Sequence, residues 1–125
     1  MVWVVKYEEF ETDAEEIGEL ADNVEKVYNL TTFAESREEA GDIYEEVIRE
    51  VFELFPAEAI SDSSHEHEES IFVDLPHFSF HVEYKEACYS DDKSNVVSKE
   101  EFVEVAKKRI REVYNQRLPK GLYRG

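Results

Sequence analysis

Hydrophobic residues recur along the chain at two periods, and each period marks a kind of element. Between Ser36 and Pro56, Ala40, Ile43, Tyr44, Val47, Ile48, Val51, Phe52 and Phe55 follow the spacing that lines one side of a helix. Pro56, which has no backbone N–H, closes it. The stretch from Ser98 to Pro119 repeats the design with Phe102, Val103, Ala106, Ile110, Val113 and Tyr114. Phe78, Phe80, Val82 and Tyr84 instead alternate with Ser79, His81, Glu83 and Lys85, the period of a strand with one buried face. Residues 71–75 predict a strand just before it, with Pro76-His77 as the bend of a hairpin. The opening run, residues 2–7, is rich in β-formers and suits a central strand covered on both faces.

Helix starts carry their own signature. Thr12-Asp13-Ala14-Glu15, Ser36-Arg37-Glu38-Glu39 and Ser98-Lys99-Glu100-Glu101 all fit the capping box, in which a hydroxyl takes one free N–H and a carboxylate three residues on takes another. After Thr12 the pattern is double. Ile17, Leu20, Ala21, Val24, Val27 and Tyr28 fit one long helix, whereas residues 27–33 are rich in β-formers. The spacing favours a short helix to about Asn23 and then a strand. The predicted order is β-α-β-α-β-β-α, an α+β domain with about four strands in a mixed or antiparallel sheet and helices on one face. At 125 residues a single domain is expected. Residues 57–69 read as a mobile polar connection, 90–95 as a second polar loop and 119–125 as a short basic tail. Val47, Val51, Phe52 and Phe102 are the expected core residues.

Composition narrows the function classes. The chain carries 31 Asp and Glu against 14 Lys and Arg, a net charge of −17. That argues against direct nucleic-acid or anionic-membrane binding, which needs a basic surface. Cys88 alone forms no internal disulfide, no apolar run approaches the ~18 residues of a membrane span, and the N-terminus has no signal-peptide pattern. A soluble, cytoplasmic domain is expected. The charge is also uneven: residues 1–74 hold 23 acids and 4 bases, while residues 75–125 hold 8 acids and 10 bases. Such a chain either folds its basic end onto its acidic end or shows two faces to partners.

Catalytic chemistry finds little footing. His65-Glu66-His67-Glu68-Glu69 gathers possible ligands for a borderline cation, but an HxH pair in a polar loop is a weak signal, and no metal or other cofactor is expected. His77 and His81 lie too far apart along a strand to chelate one ion and read as turn and sheet-surface residues. Cys88 has no nucleophile motif around it, and there is no Gly-x-Ser-x-Gly elbow, Gly-x-Gly-x-x-Gly or Walker loop.

The helix from Ser36 offers more. Opposite its apolar stripe lie Glu38, Asp42, Glu45, Glu46, Glu50 and Glu53, interrupted by Arg49. Over a rise of about 22 Å they average roughly one carboxylate per 4 Å, close to the ~3.4 Å between phosphates of a single nucleic-acid strand. A solvated face is the plainer reading of such a helix, and a surface for a basic partner the sharper one. Asp13, Glu15, Glu16, Glu19 and Asp22 would extend that surface from the first helix, and Glu8, Glu9 and Glu11 from the segment before it.

At the C-terminus, Tyr89-Ser90-Asp91-Asp92-Lys93, the capped helix from Ser98 and the closing Leu118-Pro119-Lys120-Gly121-Leu122-Tyr123-Arg124-Gly125 loosely resemble the end of the small acidic immunity proteins that block nuclease colicins. The paired tyrosines and Asp-Ser-Pro of that family's inhibitory site are absent, with Cys88-Tyr89 and Val97-Ser98-Lys99 standing there instead. The strand-rich remainder departs from their four-helix fold, and no family is claimed. Acidic phage proteins that disable restriction or CRISPR nucleases are similar in size and charge.

The expectation is a non-enzymatic protein-binding module, an inhibitor or nucleic-acid mimic that blocks a basic nucleic-acid-handling protein through Glu38, Asp42, Glu45, Glu46, Glu50 and Glu53. The alternatives are a small metal-dependent or hydrolytic enzyme using residues 65–69, and a homo-oligomer in which Lys107, Lys108, Arg109 and Arg111 dock on a neighbour's acidic face.

Overall fold

The structure, a computed structural model, describes residues 2–87 and 95–118. Its strands are β1 (Trp3–Thr12), β2 (Val24–Ala34), β3 (Ile60–His65), β4 (Glu68–Leu75) and β5 (Phe78–Glu86). They form one antiparallel sheet in the spatial order β2-β1-β5-β4-β3. Helices α1 (Arg37–Leu54) and α2 (Lys99–Arg117) pack together on one face of it. This is the expected α+β class, with five strands rather than about four. Among the described residues no helix is long and apolar enough to cross a membrane.

Register decides which side chains meet the helices. Trp3, Val5 and Tyr7 of β1 stand opposite Ala34, Thr32 and Leu30 of β2 and opposite Glu86, Tyr84 and Val82 of β5. All four alternating residues of β5, Phe78, Phe80, Val82 and Tyr84, are buried in one core with Val47, Val51, Phe102 and Ile110. Rings link the layers in two chains, Trp3–Tyr84–Tyr44 and Tyr7–Phe80–Phe55–Tyr114, with centroids 5.2–6.0 Å apart. Both helices start at the expected caps. Ser36 Oγ accepts from the Glu39 N–H at 3.1 Å and Ser98 Oγ from the Glu101 N–H at 3.2 Å, each worth about 1 kcal/mol. The chain enters α2 along the outer edge of β2, where the Val97 N–H donates to the Thr31 carbonyl at 2.8 Å. The helices run in the same direction: Lys99 pairs with Glu39 near their starts, and Arg111 with Glu50 further along.

Three expectations are corrected. Residues 13–23 form no helix. Thr12 Oγ1 takes the Ala14 N–H, and the Asp13 carboxylate accepts from the N–H groups of Asp22 and Asn23 and from Asn23 Nδ2, closing a loop instead. Gly18 seals the choice with φ +78°. Its N–H donates to the Asp74 carbonyl at 2.9 Å, and a Cβ there would lie 2.4 Å from the Glu58 carbonyl oxygen. The mobile loop expected over 57–69 is instead a 3₁₀ turn (Ala57–Ala59), then β3, then a tight turn at Glu66-His67 into β4. Phe52 is 56% exposed rather than buried. As expected, the opening strand is an interior one buried on both faces: β1 lies between β2 and β5, with both helices on the Val5 side and Val4 on the opposite face fully buried as well. Apart from Asn95, the 90–95 loop lies outside the described residues, as do the 119–125 tail, Cys88 and residues 89–93.

Candidate functional site

The basic end of the chain folds onto its acidic end. Arg109 donates from Nε and Nη2 to the two carboxylate oxygens of Glu9, each at 2.7 Å, and its guanidinium lies 3.5 Å from the centre of the Tyr28 ring. Glu9 is only 4% exposed and also accepts the Tyr7 hydroxyl at 2.6 Å. Burial, and then the Glu9 charge, push the Tyr7 phenol well above its usual range. Five further pairs join Lys26 to Glu8, Arg49 to Glu46, Lys85 to Glu83, Lys99 to Glu39 and Arg111 to Glu50. Arg109 and Arg111, which the oligomer alternative needs facing a neighbour, are therefore engaged within the chain.

This pairing splits the six carboxylates expected to act together on α1. Glu38, Asp42, Glu45 and Glu53 are exposed, and none forms an ion pair among the described residues. Glu46 and Glu50 point toward α2. Glu50 is held by Arg111 at 3.2 Å, and Glu46 lies beside Arg49 and lines a shallow groove with Lys99, Lys107 and Arg111. Helical geometry explains the division, because positions 46 and 50 stand about 80–120° around the helix from position 38 and so face a parallel neighbour. The four outer carboxylates are separated by about 6, 4.5 and 12 Å along the axis, sparser than the ~3.4 Å of a nucleic-acid strand, and Arg49 stands among them.

A second group of exposed carboxylates lies at one end of the sheet. There β1, β4 and α1 end, β2, β3 and β5 begin, and the last turn of α2 places the Arg117 guanidinium 4.5 Å from the Phe78 ring centre. The loop across this end exposes Glu15, Glu16, Glu19 and Asp22. Hydrogen bonds from Asn23 and Asp22 keep the Asp13 carboxyl below its usual range. Two helix C-termini add partial negative charge at the same end.

Sequence reasoning missed an apolar pocket here, on the side of the sheet away from the helices. Its volume is about 270 Å³, and its walls include Phe10, Leu20, Val24, Phe72 and Phe78, with Glu19 and Asp74 among them. Leu20 is 84% exposed, Val24 61% and Phe72 40%. Asp74 is half-buried, and burial raises its pKa. The helical reading of 13–23 counted Leu20 as one apolar side of a helix. The available signal was the even-numbered register of β4 and β1, which sets Phe72, Asp74 and Phe10 on the face opposite the core.

Further along that face, the His81 ring lies flat on Phe72, with centroids 4.2 Å apart and planes 7° from parallel. Its nitrogens each lie 3.4 Å from a carboxylate, Nδ1 from Glu8 and Nε2 from Glu83. His65 and His67 flank the β3–β4 turn, where His65 Nε2 meets Ser63 Oγ at 3.2 Å and His67 Nδ1 lies 3.8 Å from Glu86. Among the described residues, no three His, Cys, Asp or Glu side chains converge as ligands for one ion. No family model, curated protein or solved structure matches the chain.

Proposed function

We propose that the protein is a non-catalytic acidic module that occupies the basic, nucleic-acid-handling surface of a protein partner, in the manner of an anti-defence or nuclease-immunity inhibitor. The observation that supports this reading is the internal disposal of positive charge. Six basic side chains are taken up in ion pairs among the described residues, and none of those pairs engages Glu38, Asp42, Glu45 or Glu53 of α1 or Glu15, Glu16, Glu19 or Asp22 of the loop, which face solvent. Clustered like charge costs stability through self-repulsion and raises the encounter rate with a surface of opposite sign. The contacts assigned to the partner are Glu38, Asp42, Glu45 and Glu53, with Glu46 and Glu50 at the margin toward α2.

The test is capture from nuclease-treated host lysate on two baits, the wild type and Glu38→Lys/Asp42→Lys/Glu45→Lys. A basic nucleic-acid-binding protein should be retained by the wild type alone and elute as salt shortens the Debye length to about 5 Å or less. Identical captures on both baits would overturn the assignment to α1.

A further inference from the structure

The large apolar side chains left exposed are not scattered evenly: Leu20, Val24 and Phe72 all open onto the same pocket, at the end of the molecule richest in carboxylates. Scattered exposed hydrophobics need no explanation, whereas grouped ones mark contact surfaces. At about 270 Å³ the pocket is just below the ~300–1,000 Å³ of cavities that take drug-sized ligands, and it suits a side chain or two of a protein. It is also held in shape. Gly18 ties the loop that carries Leu20 to the Asp74 backbone, and Asp13 closes the loop's other end. Among the described residues no basic side chain lines the pocket, whereas Glu19 and Asp74 do. The complementary occupant is therefore apolar along its stem and cationic at its tip.

We infer that this pocket is the anchor for a basic segment of the protein partner, receiving an arginine whose methylenes pack against Phe10, Leu20 and Phe72 and whose guanidinium meets Asp74 and Glu19. The inference rests on the proposed capture of a basic protein and names the contact that gives it specificity. Carboxylates on α1 act at a distance and are screened by salt, whereas a desolvated anchor holds the complex once formed. Asp74 suits the role because a carboxylate half withdrawn from water gains more from an arriving cation than an exposed one does.

The experiment is an amide chemical-shift titration of the full chain with two peptides of equal charge, acetyl-Leu-Arg-Leu-Lys-amide and acetyl-Gly-Arg-Gly-Lys-amide. The leucine peptide should shift the amides of Phe10, Leu20, Phe72 and Asp74 and bind about tenfold more tightly than the glycine peptide. Replacing its arginine by citrulline should cost about tenfold again. Leu20→Ser and Asp74→Asn should each weaken binding of the leucine peptide by a similar factor, and the exposed Leu20 site leaves folding intact. Equal binding of the two peptides, no binding of either, or indifference to citrulline would overturn the inference. Shifts confined to α1 would overturn the anchor while leaving the charge-based reading standing. Self-association of the free protein that Leu20→Ser abolishes would overturn it too, by giving the pocket to a second copy.

Discussion

Replacing Arg109 by Met keeps most of the side chain's length and removes the guanidinium that grips Glu9. The carboxylate, 4% exposed, then keeps the hydrogen bond from the Tyr7 hydroxyl at 2.6 Å. Stripping one partner from a buried ion pair costs about 3–5 kcal/mol. The Arg109 side chain is itself 35% exposed, so solvent screening places the cost near the lower end, at roughly 3 kcal/mol. Losing the cation over the Tyr28 ring adds about 0.5–1 kcal/mol. For a domain of this size the sum of about 3–4 kcal/mol lowers the melting temperature by roughly 10–15 °C. Urea unfolding followed by circular dichroism measures it, and the midpoint should fall with the slope unchanged. The double variant Glu9→Gln/Arg109→Met, which removes the stranded charge but keeps an acceptor for Tyr7, should regain about 1–2 kcal/mol. An Arg109→Met loss under ~1 kcal/mol, or a double variant weaker than the single, would refute the claim that this pair ties α2 to the sheet.

Three further outcomes follow from the packing. Burial pushes the His81 imidazole down, but its bonds to Glu8 and Glu83 outweigh that and raise its pKa, while the His81 bond, aided by Lys26, holds Glu8 at about 2. The raised histidine stabilises the fold below its ordinary value of 6.5 and loses that effect as pH rises through the folded value; the lowered Glu8 stabilises above 4.5 and loses it as pH falls toward 2. The stability gap between wild type and His81→Gln should therefore be widest between pH 4.5 and 6.5 and shrink on either side, and a gap independent of pH refutes the coupling. Gly18→Ala forces an L-residue into left-handed backbone against the Glu58 carbonyl and should cost more than ~2 kcal/mol by thermal unfolding, with a neutral result excluding the loop anchor. Phe52→Ala should cost under ~1 kcal/mol while Phe102→Ala costs about 3–5, and equal losses in denaturant unfolding would contradict the burial assigned to them.

What could be read from the chain was what its local periodicity encodes. The stripe from Ala40 to Val51, the Ser36 and Ser98 caps and the alternation of Phe78 to Tyr84 each involve neighbours a few residues apart, and each is found in place. Phe52 fell at the margin of the same stripe, where spacing alone does not separate core from surface. Residues 13–23 have helical spacing, but Asp13 reaches ten residues forward to Asn23, and Gly18 meets Glu58 and Asp74 from distant elements. β3 reads Ile-Ser-Asp-Ser-Ser-His, too polar to signal a strand. Its strand state comes from pairing with β4 at the sheet edge. The acidic face was half legible for a similar reason: Glu46 and Glu50 look like Glu38 and Asp42 until α2 is placed alongside them.

The claim that α1 carboxylates stand in for nucleic-acid phosphates is tested most directly by displacement. The captured basic partner is loaded with its fluorescently labelled nucleic acid, and the acidic protein is titrated in while anisotropy is followed at low and at raised salt. The wild type should compete the nucleic acid away, lose about tenfold or more in potency at ~300 mM salt relative to ~50 mM, and lose its effect in Glu38→Lys/Asp42→Lys/Glu45→Lys. A ternary complex that retains its nucleic acid, or a charge-reversed variant that displaces it equally well, would contradict the account.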